Sequence, residues 1–104
     1  MEIVMDDTFK SEVLDSQKPV LVDFFAEWCG PCRQMLPLVG ELSEEMSGKL
    51  KVVKMNVDDA PDTPAQFDIQ TIPTFLIFKG GKLVDKKVGS MTKAQLTDWV
   101  SSHL

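Results

Sequence analysis

Residues 20–26 make up the apolar segment that most restricts how this chain can fold. Pro19 precedes the run Val-Leu-Val-Asp-Phe-Phe-Ala, in which hydrophobic side chains occupy both faces of an extended strand. Strands of this kind lie in the middle of a sheet that is covered on both sides. The segment therefore predicts a central strand of an α/β protein, with Asp23 as the one charged residue inside it.

Strand-like and helix-like patterns alternate along the rest of the chain. Strands are predicted at residues 3–5, 50–57, 74–78 and 83–88, and helices at residues 8–16, from about 32 to 48, within 59–67 and after Thr92. The order β-α-β-α-β-α-β-β-α requires parallel crossovers followed by an antiparallel hairpin. We predict an α/β fold with a mixed sheet and helices on both faces. A length of 104 residues suits a single domain over residues 1–104.

Short sequence signals mark several of the element boundaries. Asp6 or Asp7 is expected to cap the first helix, and Gly48 is expected to end the second. Gly80-Gly81 predicts a two-residue hairpin turn. The charged residues 85–87 predict an edge strand, because charges there deter pairing with another chain.

Composition and charge exclude two broad classes of function. The chain has 16 acidic and 11 basic residues and a net charge of -5, whereas proteins that bind nucleic-acid phosphates carry a basic surface. No apolar stretch approaches the roughly 18 residues of a membrane-spanning helix. The first residues contain neither the basic region nor the long apolar region of a secretory signal, which predicts a cytoplasmic protein.

The two cysteines, Cys29 and Cys32, are the strongest candidates for chemistry. They lie where the central strand gives way to a helix, and a helix N-terminus stabilises a thiolate. Gly30 permits close approach of a partner backbone, and Pro31 suits the first helical turn. The pattern predicts Cys29 as the exposed nucleophile. Cys32, one turn further along the same face, can reach it to form a disulfide.

The implied reaction is thiol–disulfide exchange. Cys29 attacks a substrate disulfide to give a mixed disulfide, and Cys32 then attacks Cys29 and releases the reduced substrate. Three other interpretations of the pair stay open here: buried structural cysteines, a turn with redox-silent thiols, and half of a zinc site. Zinc normally needs four ligands, and the one histidine, His103, lies at the C-terminal end of the sequence.

Four further positions each allow two interpretations. Asp23 is a proton-exchange group if it is buried, since burial raises the pKa of a carboxyl; otherwise it is an aspartate that faces a polar surface or is satisfied by local hydrogen bonds. Lys54 is a surface lysine unless its strand neighbours that of Asp23. Trp28 is either a core residue or an exposed contact for partner chains. The Ile72-Pro73 bond is cis or trans, which composition does not decide.

Several separate motifs, in the same order, resemble the thioredoxin family. The segment at residues 22–33 resembles the family's active-site signature, and it reads Val-Asp-Phe-Phe-Ala-Glu-Trp-Cys-Gly-Pro-Cys-Arg. Further similarities are Pro37, Lys-Met-Asn-Val-Asp at 54–58, Ile-Pro-Thr at 72–74, Phe-Lys-Gly-Gly at 78–81 and Val-Gly at 88–89. Motifs that span the whole chain are more specific than one Cys-X-X-Cys pair.

The resemblance implies a thioredoxin fold, with a central five-stranded mixed sheet flanked by four helices on both faces. Asp23 would be a buried proton-transfer group with Lys54 as its neighbour, and Pro73 would be cis and pack against the cysteines. The family's substrate-binding surface would correspond to Trp28, Gly30, Pro31, Ile72, Pro73 and Gly89.

The resemblance also implies an activity and its partners. The activity would be protein disulfide reduction by a dithiol electron carrier, with no bound cofactor and no metal. Electrons would come from NADPH through an FAD-containing thioredoxin reductase. The other partners would be substrate proteins that contain disulfides, and we expect the chain to be a monomer.

The chain departs from the family pattern at a few positions, and two rival functions are considered. Phe25 stands where a tryptophan is common, Arg33 replaces a frequent lysine, and Asp68 and Thr71 stand where small residues are often seen. An oxidase or isomerase would be favoured by a histidine before the second cysteine, but Pro31 stands there. A binding module without electron transfer is disfavoured by the intact cysteine pair.

Overall fold

A five-stranded mixed sheet forms the centre of the computed structural model, which describes residues 1–104. The strands are β1 (Glu2–Ile3), β2 (Val20–Phe25), β3 (Lys51–Asn56), β4 (Thr74–Lys79) and β5 (Lys82–Val88). Their spatial order is β1-β3-β2-β4-β5. Strands β1 and β2 run parallel to β3, whereas β4 is antiparallel to both β2 and β5. The predicted mixed sheet is confirmed.

Helices cover both faces of this sheet, as the buried central strand requires. They are a short π-helical segment at Lys10–Leu14 and three α-helices, α1 (Gly30–Glu45), α2 (Asp62–Gln66) and α3 (Lys93–Ser101). All six residues of β2 are buried. The prediction of a doubly covered strand at this position is therefore confirmed.

The side chains of β2 alternate between two hydrophobic cores. Leu21 lies in the core that contains side chains of α1 and α3, namely Met35, Val39, Leu42, Leu96 and Val100. Val22 and Phe24 lie in the opposite core, together with Phe9 and Val13 from the first helical region. Because strand side chains alternate, Asp23 and Phe25 point to the same side of the sheet as Leu21.

The first helix differs from its prediction. Only Lys10–Leu14 is helical, and the backbone follows a π pattern in which the Asp15 N–H bonds the Lys10 carbonyl oxygen at 2.9 Å. Neither Asp6 nor Asp7 caps it. The Asp6 carboxylate instead accepts hydrogen bonds from Thr63 and the Asp62 N–H at the start of α2. The side chain that the local pattern assigned to the first helix therefore binds a segment more than fifty residues away.

Other boundaries agree with the sequence signals more closely. The chain turns at Gly80-Gly81 between β4 and β5, and both glycines have positive φ, 58° and 79°. A Cβ at Gly81 would stand 2.9 Å from the Leu14 carbonyl oxygen, so this position requires glycine on two counts. Strand β5 lies at the sheet edge, as its charges predict. Helix α1 ends at Glu45, three residues before Gly48, which corrects the expected end.

Candidate active site

Cys29 and Cys32 form a disulfide at the N-terminus of α1, with Cα atoms 5.2 Å apart. Cys29 is the N-cap residue, and its Sγ accepts a hydrogen bond of 3.2 Å from the Cys32 N–H. Pro31 lies in the first turn, where its missing N–H leaves no helical bond unmade. The predicted position of the pair at the start of a helix is confirmed.

The cysteine pair is buried when its disulfide is formed. In this disulfide form Cys29 is 5% exposed and Cys32 is 1% exposed, whereas the expectation of an exposed Cys29 concerns the thiolate of the dithiol form. Both cysteines pack in a small cluster with Phe25 and Ala26, and Ile72 lies against it. Cys29 is still the more exposed of the two cysteines.

The Ile72-Pro73 peptide bond is cis, as the family resemblance implied. The Ile72 carbonyl oxygen lies 3.9 Å from the Cys29 sulfur, which places this turn directly beside the disulfide. The Gly89 N–H donates to the Pro73 carbonyl oxygen at 2.9 Å. Cys29, Ile72, Pro73 and Gly89 are thus neighbours in space although they are far apart in sequence.

The other residues expected at the substrate-binding surface differ in how exposed they are. Trp28 is 69% exposed, which decides between its two interpretations in favour of a surface residue. Its indole Nε1 donates to Asp58 Oδ2 at 2.9 Å, so the ring is held in place. Gly30 is half-buried, and Pro31 is exposed. Nothing in the sequence singles out Asp58 by itself, although this residue ends the motif at residues 54–58.

Asp23 is completely buried in β2. Neither of its carboxylate oxygens has a hydrogen-bond partner. This burial raises its pKa to about 7, against a smaller lowering effect from the charge of Lys54. The complete burial and the missing partners exclude the alternatives of an aspartate that faces a polar surface or is satisfied by local hydrogen bonds.

Lys54 lies on the strand next to Asp23. The two residues are directly paired in the parallel register of β2 and β3, which meets the condition set for a site role of Lys54. Its ammonium does not bind the Asp23 carboxylate, whose oxygens are unpartnered. The Lys54 Nζ instead lies over the Phe25 ring, 5.6 Å from the ring centroid.

The zinc interpretation of the cysteine pair finds no support in the geometry. A structural zinc site needs four ligands in one place. No group of three or more His, Cys, Asp and Glu side chains is placed to hold a metal ion. His103 lies near Asp85 and Trp99, on the C-terminal part of the chain, and contacts those residues.

Comparison with known proteins agrees with this geometry. Residues 1–102 match the family model described as Thioredoxin. The chain is 50% identical over 101 residues to a thioredoxin of Rickettsia conorii, which covers 97% of this chain and 96% of that protein. It is 52% identical over 101 residues both to a thioredoxin of Acidithiobacillus ferridurans and to thioredoxin 1 of a Nostoc species, covering 97% of this chain and 94% of each.

The chain belongs to the thioredoxin family. Its five-stranded sheet with helices on both faces is the thioredoxin fold, and its disulfide pair is the family's redox-active center. The protein is a protein-disulfide reductase, an oxidoreductase that works without a bound cofactor. Its family acts on disulfide substrates and with a reductase partner. None of its helices is long and apolar enough to cross a membrane.

Proposed function

We propose that this chain reduces protein disulfides through a two-step exchange in which Cys29 attacks and Cys32 resolves. In the dithiol form, the Cys29 thiolate attacks one sulfur of a substrate disulfide, and the other substrate sulfur leaves as a thiolate. Cys32 then loses its proton and attacks Cys29. The second substrate thiolate leaves, and the Cys29–Cys32 disulfide remains. Two electrons pass to the substrate in each cycle.

The observation that carries this assignment is the hydrogen bond from the Cys32 N–H to Cys29 Sγ. Cys29 stands at the N-cap of a 16-residue helix, where backbone N–H groups point at its sulfur and favour negative charge there. Cys32 lies inside the first turn and is 1% exposed. The outer cysteine therefore suits the attacking role, and the inner one suits the intramolecular step.

Asp23 is the group that we propose takes the proton of Cys32 during the resolving step. It lies two residues before Phe25 on the same side of β2, and Phe25 packs in the cluster of the cysteines. With its pKa raised to about 7 by burial, the carboxyl is partly ionised at neutral pH and can accept a proton. Lys54, as the register neighbour of Asp23, adjusts this pKa through its charge.

The substrate would bind across the surface that surrounds Cys29. We propose that this surface consists of Trp28, Gly30, Pro31, Ile72, Pro73 and Gly89. Its support is the proximity of Ile72 to the Cys29 sulfur and the hydrogen bond between Gly89 and Pro73. The large exposed area of Trp28 adds an apolar contact at one side.

The proposed role as a reductant requires a source of electrons. A dithiol reductant has to be reduced again after each cycle. We propose that an FAD-containing thioredoxin reductase does this with electrons from NADPH, in the cytoplasm. The chain would act as a monomer with one domain over residues 1–104, which the family match over residues 1–102 supports.

The test of this cycle is a pair of cysteine variants. Cys29→Ser should abolish the reduction of insulin disulfides by the protein, because no thiolate remains to attack. Cys32→Ser should still attack but should accumulate as a mixed disulfide with the substrate, visible by non-reducing electrophoresis and mass spectrometry. Full reductase activity of Cys29→Ser, or a mixed disulfide that forms at Cys32 instead, would refute the assigned roles.

A further inference from the structure

The position of the Lys54 ammonium requires an explanation. A lysine paired in register with a buried aspartate would be expected to form an ion pair with it, since an unpaired buried charge is unfavourable. The Asp23 oxygens nevertheless have no partner, and the Lys54 Nζ lies 5.6 Å from the centroid of the Phe25 ring. This distance is within the range of a cation–π interaction.

Strand geometry places Phe25 where it can compete for this ammonium. Asp23 and Phe25 are two residues apart on the same face of β2, and Lys54 lies beside Asp23 on β3. The flexible lysine stem can therefore direct its charge either to the carboxyl or further along the strand to the ring. The ring itself is fixed, because Phe25 is 6% exposed and packs in the cluster of the cysteine pair.

Few other groups influence this carboxyl. Lys54 on β3 is the one charged residue that acts on Asp23. Phe75, which pairs with Asp23 from β4, is apolar and buried. Helix α1 contributes the disulfide on this side of the sheet, and its Arg33 is turned away to donate to the Glu27 carbonyl oxygen. The charge that the Asp23 carboxyl experiences from its surroundings therefore depends on where the Lys54 ammonium lies.

We propose that Phe25 is a positioning residue of the redox site, whose ring face holds the Lys54 ammonium away from Asp23 and so keeps the buried carboxyl without an ion pair. Phe25 acts through Lys54 and not on the substrate. Its consequence for turnover rests on the proposed proton-transfer role of Asp23, whereas its effect on Asp23 itself does not. A ring with a stronger electrostatic attraction for cations, such as an indole, would serve the same purpose at this position.

The experiment is a double-mutant cycle read out by the titration of Asp23 in the oxidised protein. The chemical shift of the Asp23 side-chain carboxyl carbon is followed by NMR against pH in the wild type, Phe25→Leu, Lys54→Met and the double variant. Phe25→Leu removes the ring and should lower the titration midpoint by about half a pH unit, because the released ammonium moves toward the carboxylate. In the Lys54→Met background, the same substitution should leave the midpoint unchanged.

Two further variants separate the ring's electrostatics from its packing. Phe25→Trp should keep the midpoint of the wild type. Pentafluorophenylalanine at position 25 reverses the charge distribution of the ring with little change in shape, so it should lower the midpoint as leucine does. The fluorinated variant also provides the result if Phe25→Leu does not fold.

The outcomes are distinct. A midpoint that does not fall in either altered-ring variant, or one that falls equally without Lys54, overturns the positioning role. A midpoint that falls only when Lys54 is present supports it. If that shift occurs but the pH profile of disulfide reduction does not follow it, Phe25 still positions Lys54, and it is the proton-transfer role of Asp23 that fails.

Discussion

Asp23 shows how burying a single carboxyl changes both its pKa and the stability of the fold. The carboxyl is completely buried and has no hydrogen-bond partner, so its charged form is strongly disfavoured in the folded chain. Burial therefore raises its pKa from 3.8 to about 7, in the range where proton transfer is useful. A side chain selected for packing alone would be apolar at this position.

We predict that Asp23→Asn raises the free energy of unfolding at high pH and not at low pH. Below about pH 4 both the folded and the unfolded wild type carry the proton, so this group adds no difference between them. As the pH rises from about 4 to about 7, only the unfolded chain releases its proton easily, and the wild type loses up to about 4 kcal/mol. Chemical denaturation of both proteins across this pH range measures the difference between their free energies of unfolding.

The matched control for this prediction is Asp98→Asn, on the exposed surface of α3. It makes the same replacement of a carboxyl by an amide, but at an exposed position, and the difference in the free energy of unfolding from the wild type should not grow with pH. A constant difference between Asp23→Asn and the wild type from pH 4 to pH 8 would contradict a raised Asp23 pKa. Disulfide reduction by Asp23→Asn should be slowed as well, since the proposed proton acceptor is missing.

For individual residues, the sequence predicted which side chains belong to the candidate site better than it predicted what those side chains contact. Strand alternation was sufficient to place Asp23 on a buried face. It was not sufficient to place Lys54, because the neighbour of β2 is chosen by the topology of the sheet and not by any local pattern. The hydrogen bond from Trp28 to Asp58 was not predicted for the same reason, since it joins the turn before α1 to the turn after β3.

The N-terminal region and α2 show how elements depend on one another. Helix α2 has five residues and no side-chain cap from its own N-cap residue, Pro61. The Asp6 carboxylate supplies the missing acceptor, at 2.8 Å from the Thr63 N–H and 3.1 Å from the Asp62 N–H. The prediction that Asp6 or Asp7 caps the first helix was wrong, because local patterns do not show contacts between distant segments.

We predict that Asp6→Ala lowers the melting temperature by a few degrees, whereas Asp7→Ala does not. The hydrogen bonds from Thr63 hold the pKa of Asp6 below its usual value of 3.8. Their contribution is therefore present above about pH 4 and is lost as the pH falls through the lowered pKa. Thermal melts of the three proteins at pH 7 and pH 3 provide the measurement. Equal melting temperatures of the two variants at pH 7 would argue against the cap.

The whole molecule determines which way electrons flow. Reduction of the disulfide creates a thiolate at Cys29, so every group that stabilises negative charge there favours the dithiol and makes the protein more oxidising. The start of α1 provides such stabilisation, but little else does. Pro31 stands before the second cysteine, Arg33 donates to the Glu27 carbonyl, and the chain as a whole carries a net charge of -5.

We therefore predict a low reduction potential, below about -250 mV, for the Cys29–Cys32 pair. The measurement is an equilibrium titration of the pair against a buffered thiol–disulfide couple at pH 7. Replacing Pro31 with His adds a group that stabilises the thiolate when protonated, and it should raise the potential, while Pro31→Ala serves as the control for the loss of the ring. A wild-type potential above about -200 mV would place this protein among oxidases and isomerases, since the dithiol would then be too stable to pass its electrons to ordinary protein disulfides.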